Sequence, residues 1–373
     1  MGKGNMGYEA LPKVSTRKDM YDQLDAAIRN IADENDNIED SSPQRKYLKA
    51  LIIESNSPLK TLHKEPNISF TVTEDPNIYL VRINRGGQVT FSYLDTLDSR
   101  FWILYSLDKS QEIKTEVNRF IQQNNSRLDY AWFSSSSLQA ISSRYSKTSF
   151  TMRFLNSFNN NNIPMKKLSI RLWAEDASDI MANLFKNEYI GEAACLSNIE
   201  VVHSGITNQY VKSRLSMEGN ITVSKGNSVQ ELLEYQQQIV QGHYKPIIET
   251  IEKDYTICYS CKDGANIGGD LLSIKLSKNL SNIESISHQI LKGIQPFRFT
   301  GFINKISDDD YLLNVLDLHN FGRFDMEIYP DEILINLPQN SCGNSVLRLF
   351  ALCQERIDPN AELRGDGSAI ITA

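Results

Sequence analysis

The stretch Asn77-Ile-Tyr-Leu-Val-Arg-Ile-Asn-Arg-Gly-Gly-Gln-Val-Thr-Phe-Ser-Tyr-Leu94 decides the fold class. Two runs rich in β-branched and aromatic residues flank Gly86-Gly87. Paired glycines reach positive φ without a steric penalty, so the chain reverses there into a β-hairpin. Upstream, Ile68, Phe70 and Val72 alternate as in a half-buried strand. Downstream, Arg100-Phe-Trp-Ile-Leu-Tyr105 reads as a largely buried strand. Asp108 with Gln111 then opens a helix carrying Ile113, Val117, Phe120 and Ile121.

Further along, Leu128 to Phe133 and Phe150 to Phe154 read as extended. Ser134 to Ser137 leads a short helix through Leu138 and Ile141, and Asn159 to Asn162 is a polar loop. A local pattern then recurs. Ser169-Ile170-Arg171-Leu172 and Ser273-Ile274-Lys275-Leu276 each precede a capped amphipathic helix. Asp176 with Asp179 opens the first. Ser281-Asn-Ile-Glu284 is a capping box for the second, with Ile283, Ile286 and Ile290 at helical spacing. Ser228-Val-Gln-Glu231 is another capping box and starts the longest helix, which Pro246 should end or kink. After Pro296 an antiparallel meander is expected over 297–306, 311–318, 323–329 and 332–337. A helix on Val346, Leu349, Phe350 and Cys353 and a flexible tail over 360–373 close the chain.

The N-terminal segment reads as two helices. Met20, Leu24, Ala27, Ile28 and Ile31 recur at helical spacing behind a Thr16–Asp19 cap, and Ser42-Pro43 starts a second stripe on Tyr47, Leu48, Leu51 and Ile52. The fold class is therefore α+β: antiparallel sheets backed by helices, with a helical N-terminal arm. The expected divisions are 1–66 (arm), 67–210 (α+β) and 211–373 (α+β, ending in the meander, a helix and the tail).

The 373 residues are 40% hydrophobic and 23% charged, which is ordinary for a soluble globular chain. The net charge of −7 argues against a general nucleic-acid coater. Five cysteines are too few and too odd for a disulfide scaffold, so a reducing cytoplasm is expected. The N-terminus lacks the apolar core of a signal peptide, and no apolar run approaches a membrane span.

The motifs that carry chemistry are incomplete. Cys258-Tyr-Ser-Cys261 is a lone CxxC where zinc normally takes four ligands, so it reads as two small residues at a strand end, and no metal and no cofactor are expected. Gly264, Gly268 and Gly269 enter a strand where a dinucleotide loop would enter a helix. Asp263, Asp270 and Lys275 imitate a metal-dependent nuclease, but Ser273 stands where an acid belongs. Asp308-Asp309-Asp310 reads as a turn, and Asp317, Asp325 and Glu327 lie on neighbouring meander strands. His203 and His319 show no nucleophile–base arrangement and read as structural. Lys166, Lys167, Arg171, Lys275 and Lys278, with Trp173 and Tyr259 for stacking, are the candidate nucleic-acid-binding residues. Solvated strand edges guarded by lysine are the simpler reading of the same residues.

The function expected is a non-catalytic interaction or assembly subunit of a multi-protein system, as in an anti-phage operon, with a protein partner or a homo-oligomer. Asparagine and lysine usage points to a bacterial source. A nucleic-acid-binding module is the alternative, followed by a divergent metal-dependent nuclease.

Overall fold

A computed structural model describes residues 11–34, 47–63, 66–85, 88–158, 160–163, 165–206, 208–260 and 266–371. The Gly86-Gly87 turn, the Ser42-Pro43 start and Cys261 to Gly264 lie outside the described residues. In chain order the elements are α1 (Arg17–Glu34), β1 (Leu48–Ser55), β2 (Ile68–Val72), β3 (Ile78–Arg85), β4 (Gln88–Asp95), β5 (Phe101–Ser106), α2 (Ser110–Gln123) and β6 (Leu128–Tyr130). Then come α3 (Ser135–Ser142), β7 (Ser146–Leu155), β8 (Lys167–Trp173), α4 (Ser178–Lys186), β9 (Leu196–Ser204), β10 (Tyr210–Ser216), β11 (Asn220–Gly226), α5 (Val229–Ile239) and α6 (Lys245–Asp254). The last are β12 (Thr256–Ser260), β13 (Asn266–Gly268), β14 (Leu272–Lys275), α7 (Ile283–Ile290), β15 (Phe299–Ser307), β16 (Asp310–Asp317), β17 (Arg323–Ile328), β18 (Glu332–Pro338), α8 (Gly343–Arg356), β19 (Glu362–Gly365) and β20 (Ser368–Ala369). The architecture is α+β with antiparallel multi-strand sheets. The chain forms two compact units, one of residues 1–130, 202–215 and 219–236, the other of 131–201, 216–218 and 237–373.

In the first unit the strand order is β2-β3-β4-β5-β1-β11-β10, with β6 also paired to β1. The β3–β4 hairpin is antiparallel as read from the sequence, with Leu80 opposite Tyr93 and Arg82 opposite Phe91. The buried stripe of α1 (Met20, Leu24, Ala27, Ile28, Ile31) packs on β11. Gly226 permits that approach, since a Cβ there would lie 3.0 Å from Ile28 Cγ2. The Thr16–Asp19 cap is reciprocal, at 3.0 and 3.1 Å. On α2, Ile113, Val117, Phe120 and Ile121 are buried, and Phe120 meets Phe70 of β2 at 5.3 Å between ring centroids.

The second N-terminal helix is a correction. Tyr47 precedes β1, and Leu48, Leu51 and Ile52 belong to that strand, which is buried at every position. It lies between β5 and β11, with Ile52 opposite Ile103 and Ala50 opposite both Tyr105 and Ile221. A strand covered on both faces loses the two-residue alternation, so its apolar run mimics a helical stripe. Lys49 on the same strand donates to the carbonyls of Tyr47 (2.8 Å) and Asp108 (2.6 Å). Burial pushes its ammonium down to about 8.

In the second unit β9-β7-β8 form one run of strands, and β15-β16-β17-β18-β14-β19-β20 form another. The meander is antiparallel as read, and β12 joins β18 in parallel. Tyr311, Leu313 and Val315 of β16, Phe324, Met326 and Ile328 of β17, and Ile333 and Ile335 of β18 supply the core face, together with α7 and a largely buried α8. The expected flexible tail is a second correction. Residues 362–365 pair with β14, setting the buried Leu363 opposite Ile274. One apolar residue in four gives no periodic signal, and only the neighbouring strand orders the segment.

Two caps also shift. Asn282, not Ser281, caps α7 by accepting from Ser285 N at 2.9 Å. At α5 the amide of Val229 is capped by Asp25 of α1 at 2.8 Å, although Ser228 and Glu231 stand at capping-box spacing. Pro246 does not end its helix. A π-helical turn over Val240–Tyr244 joins α5 to α6, and Pro246 falls in the first turn of α6, where a missing N–H costs no helix bond.

Candidate functional site

The candidate cationic residues occupy three settings. Along β8 exposure alternates, so Lys167, Ser169, Arg171 and Trp173 share the more exposed face. The Arg171 guanidinium lies over the Trp173 ring at 4.2 Å. Lys166 is exposed just before this strand. Lys275 on β14 is held by Asp331 at 2.7 Å, and Lys278 by Glu192 at 2.8 Å. Those carboxylates raise both ammonium groups above the usual lysine value. Lys275 and Lys278 therefore carry compensating charge, which weakens them as phosphate ligands.

The nuclease-like set is not assembled as a nuclease needs it. Lys275 faces Asp331. Asp270 interacts instead with Asp366, and sharing a proton holds the Asp270 carboxyl down and pushes the Asp366 carboxyl up. Asp317, Asp325 and Glu327 do not converge. Asp317 follows the inward positions of β16 and is buried, whereas Asp325 and Glu327 fall on the opposite face of β17. Asp325 accepts from Asn314 at 2.8 Å and Glu327 from Tyr329 at 2.8 Å. Asp308 pairs with Lys305 at 2.7 Å in the β15–β16 turn. A cleft of about 230 Å³ is lined by Pro246, Ile247, Thr250, Tyr255, Ile370 and residues of β19 and β20. Its only titratable lining group is Tyr255, so it offers no acid–base pair.

Asp317 instead anchors a buried polar cluster. Arg348 of α8 donates to Asp317 Oδ1 at 2.6 Å and to the carbonyl of Phe297 at 2.9 Å, and it lies over the Phe299 ring at 4.8 Å. The Ser345 hydroxyl donates to Asp317 Oδ2, and the His319 amide to Oδ1 at 2.9 Å. The cluster ties α8 to the end of β16, and it is closed off from substrate because Arg348 is fully buried.

The open feature of the second unit is β15. Among the described residues it pairs only with β16, and it is exposed over most of its length. Phe302 is 78% exposed and Ile306 62% exposed. Gly301 follows the partner strand so closely that a Cβ would lie 1.9 Å from the Asn314 carbonyl oxygen. A bulge between Lys305 and Ser307 protects the far end. The residue pattern of 297–306 predicts a meander strand without marking an edge, because edge position depends on which strands fail to meet.

An α+β chain with a two-sided central strand, an open meander edge and no assembled catalytic set among its described residues is the class these features define. The chain belongs to the family described as MJECL33-like protein, which it matches over residues 8–371. It is similar to the uncharacterized protein MJECL33 of Methanocaldococcus jannaschii, 25% identical over 402 aligned residues and covering 94% of each chain. That relative is archaeal, so the bacterial reading of asparagine and lysine usage finds no support there. Among the described residues no helix is long and apolar enough to cross a membrane.

Proposed function

We propose that the chain is a non-catalytic assembly subunit acting in a cytoplasmic multi-protein system, and that β15 is its joining edge. The carrying observation is an open strand with Phe302 and Ile306 exposed. Open edges present unpaired N–H and C=O groups, and native chains usually cover or charge them. A second copy satisfies this edge directly. Antiparallel pairing about Phe302 sets that ring beside its symmetry mate, with Thr300 opposite the partner's Asn304. Cross-strand aromatic pairs of this kind contribute about 0.2–1 kcal/mol each beyond the strand bonds. The test is light scattering on the full chain at tens of micromolar and on Phe302→Lys. A dimer that Phe302→Lys makes monomeric supports the reading, and a wild-type monomer refutes it.

A nucleic-acid-binding module is the second reading, favoured by the row Lys167, Arg171 and Trp173 on β8. Trp102 and Trp132 are buried while Trp173 is 40% exposed, so tryptophan quenching by a single-stranded oligonucleotide reports on this face alone. Salt-sensitive quenching lost in Arg171→Ala would support it, and no quenching would remove it.

A further inference from the structure

We propose that His203, Glu231 and Glu234 in the first unit form a binding site for a divalent transition-metal cation. His203 stands near the end of β9. Glu231 and Glu234 sit three residues apart on α5, so they rise from one helix face. Each of the three offers a ligand atom within 4.8 Å of the other two.

The buried carboxylate is the decisive observation. Glu231 is 4% exposed and His203 is 6% exposed. Glu231 Oε2 lies 2.8 Å from His203 Nδ1, yet it accepts no hydrogen bond from any described residue. Among the described residues neither glutamate is paired with a lysine or arginine. A buried carboxylate oxygen without a hydrogen bond is costly. Close approach without donation is the geometry of two neighbouring ligands on one ion. With metal–ligand distances of about 2.1 Å, adjacent ligand atoms of an octahedral ion lie about 3 Å apart.

The surroundings accommodate that arrangement. A Cβ on Gly205 would lie 2.3 Å from Glu231 Oε1, so the absence of a side chain there leaves the carboxylate its place. Gln230 Nε2 donates to Glu234 Oε1 at 2.9 Å and orients the second carboxylate. The capping-box spacing Ser228-x-x-Glu231 reserved Glu231 for the helix amides in the sequence reading. Asp25 caps Val229, and the Glu231 carboxylate lies against His203. One imidazole nitrogen and two carboxylates suit Mn²⁺, Fe²⁺, Co²⁺ or Zn²⁺ better than the all-oxygen preference of Ca²⁺ or Mg²⁺. The coordination positions left over would take water.

The experiment uses the full chain, stripped with a chelator and titrated with Co²⁺, Mn²⁺ and Zn²⁺ by calorimetry, with the Co²⁺ absorption spectrum and the melting temperature read alongside. One ion per chain is expected, with a melting temperature that rises on loading. His203→Gln and Glu231→Gln should each weaken binding at least about tenfold. Glu234→Gln leaves the buried His203–Glu231 contact intact and should also weaken binding, so the test survives if the buried variants fail to fold. Cys258→Ser should bind like the parent. No binding at millimolar metal, binding that survives Glu234→Gln together with His203→Gln, or binding lost in Cys258→Ser would each overturn the proposal. The first outcome would leave His203 and Glu231 as an ordinary buried ion pair.

Discussion

Replacing Asp317 by alanine should be among the most damaging single changes in the second unit. The Asp317 and Arg348 side chains are 2% and 0% exposed and meet at 2.6 Å. Asp317→Ala leaves the Arg348 guanidinium without its carboxylate and takes an acceptor from both the Ser345 hydroxyl and the His319 amide. Breaking one side of a buried pair costs about 3–5 kcal/mol, because a charge stays in the interior uncompensated. At roughly 2–4 °C per kcal/mol for a unit of this size, the midpoint falls on the order of 10 °C. Arg348→Met placed on the Asp317→Ala background should restore stability, since it removes the stranded charge and fills similar space with an apolar side chain. The two compact units need not unfold together, so hydrogen exchange at the α8 amides should accompany urea denaturation of the full chain. A loss below about 1 kcal/mol in Asp317→Ala, or a double variant less stable than Asp317→Ala alone, would refute the assignment of a charge-compensating role.

Three further outcomes are expected. Burial holds the His243 imidazole down at about 4, so the unfolded chain binds more protons between about 6.5 and 4. Stability should thus be complete above pH 6.5 and fall as the pH drops toward 4, and urea midpoints of His243→Gln should show a shallower fall over that window. A chain of residues 61–373 lacks β1, and because that strand pairs with both β5 and β11, expression should yield aggregated or unfolded protein. A folded monodisperse product would contradict the central place of β1. Burial raises the thiols of Cys195 and Cys353 far above the usual cysteine value, so in the native protein they should resist a thiol-reactive dye while the half-buried Cys258 reacts. Labelling of Cys195 or Cys353 before unfolding, read by peptide mass, would count against the packing described.

Local rules were legible wherever a single element sets its own terms. The hairpin on 78–95, the meander strands, the α1 cap and the apolar stripes of α1, α2 and α8 follow from period, turn residues and capping chemistry alone. What escaped the sequence depends on partners distant in the chain. Leu48 to Ile52 carry the spacing of a helix and become a strand because β5 and β11 pair with both of its edges. Residues 362–365 carry almost no signal and become a strand because β14 has an open side. Glu231 has the spacing of a capping residue, yet its carboxylate lies against His203, and the amide of Val229 is taken by Asp25, more than 200 residues earlier. Asp317, Asp325 and Glu327 look alike in sequence, yet a two-residue period sends the first into the core and the others to the opposite face. The amino-acid order by itself determined the hairpin, the meander strands and the helical stripes of α1, α2 and α8, since these depend on neighbours within a few residues. The tertiary structure alone decided which strand is central, which is an edge and which polar groups meet, because those outcomes require contacts that no local spacing encodes.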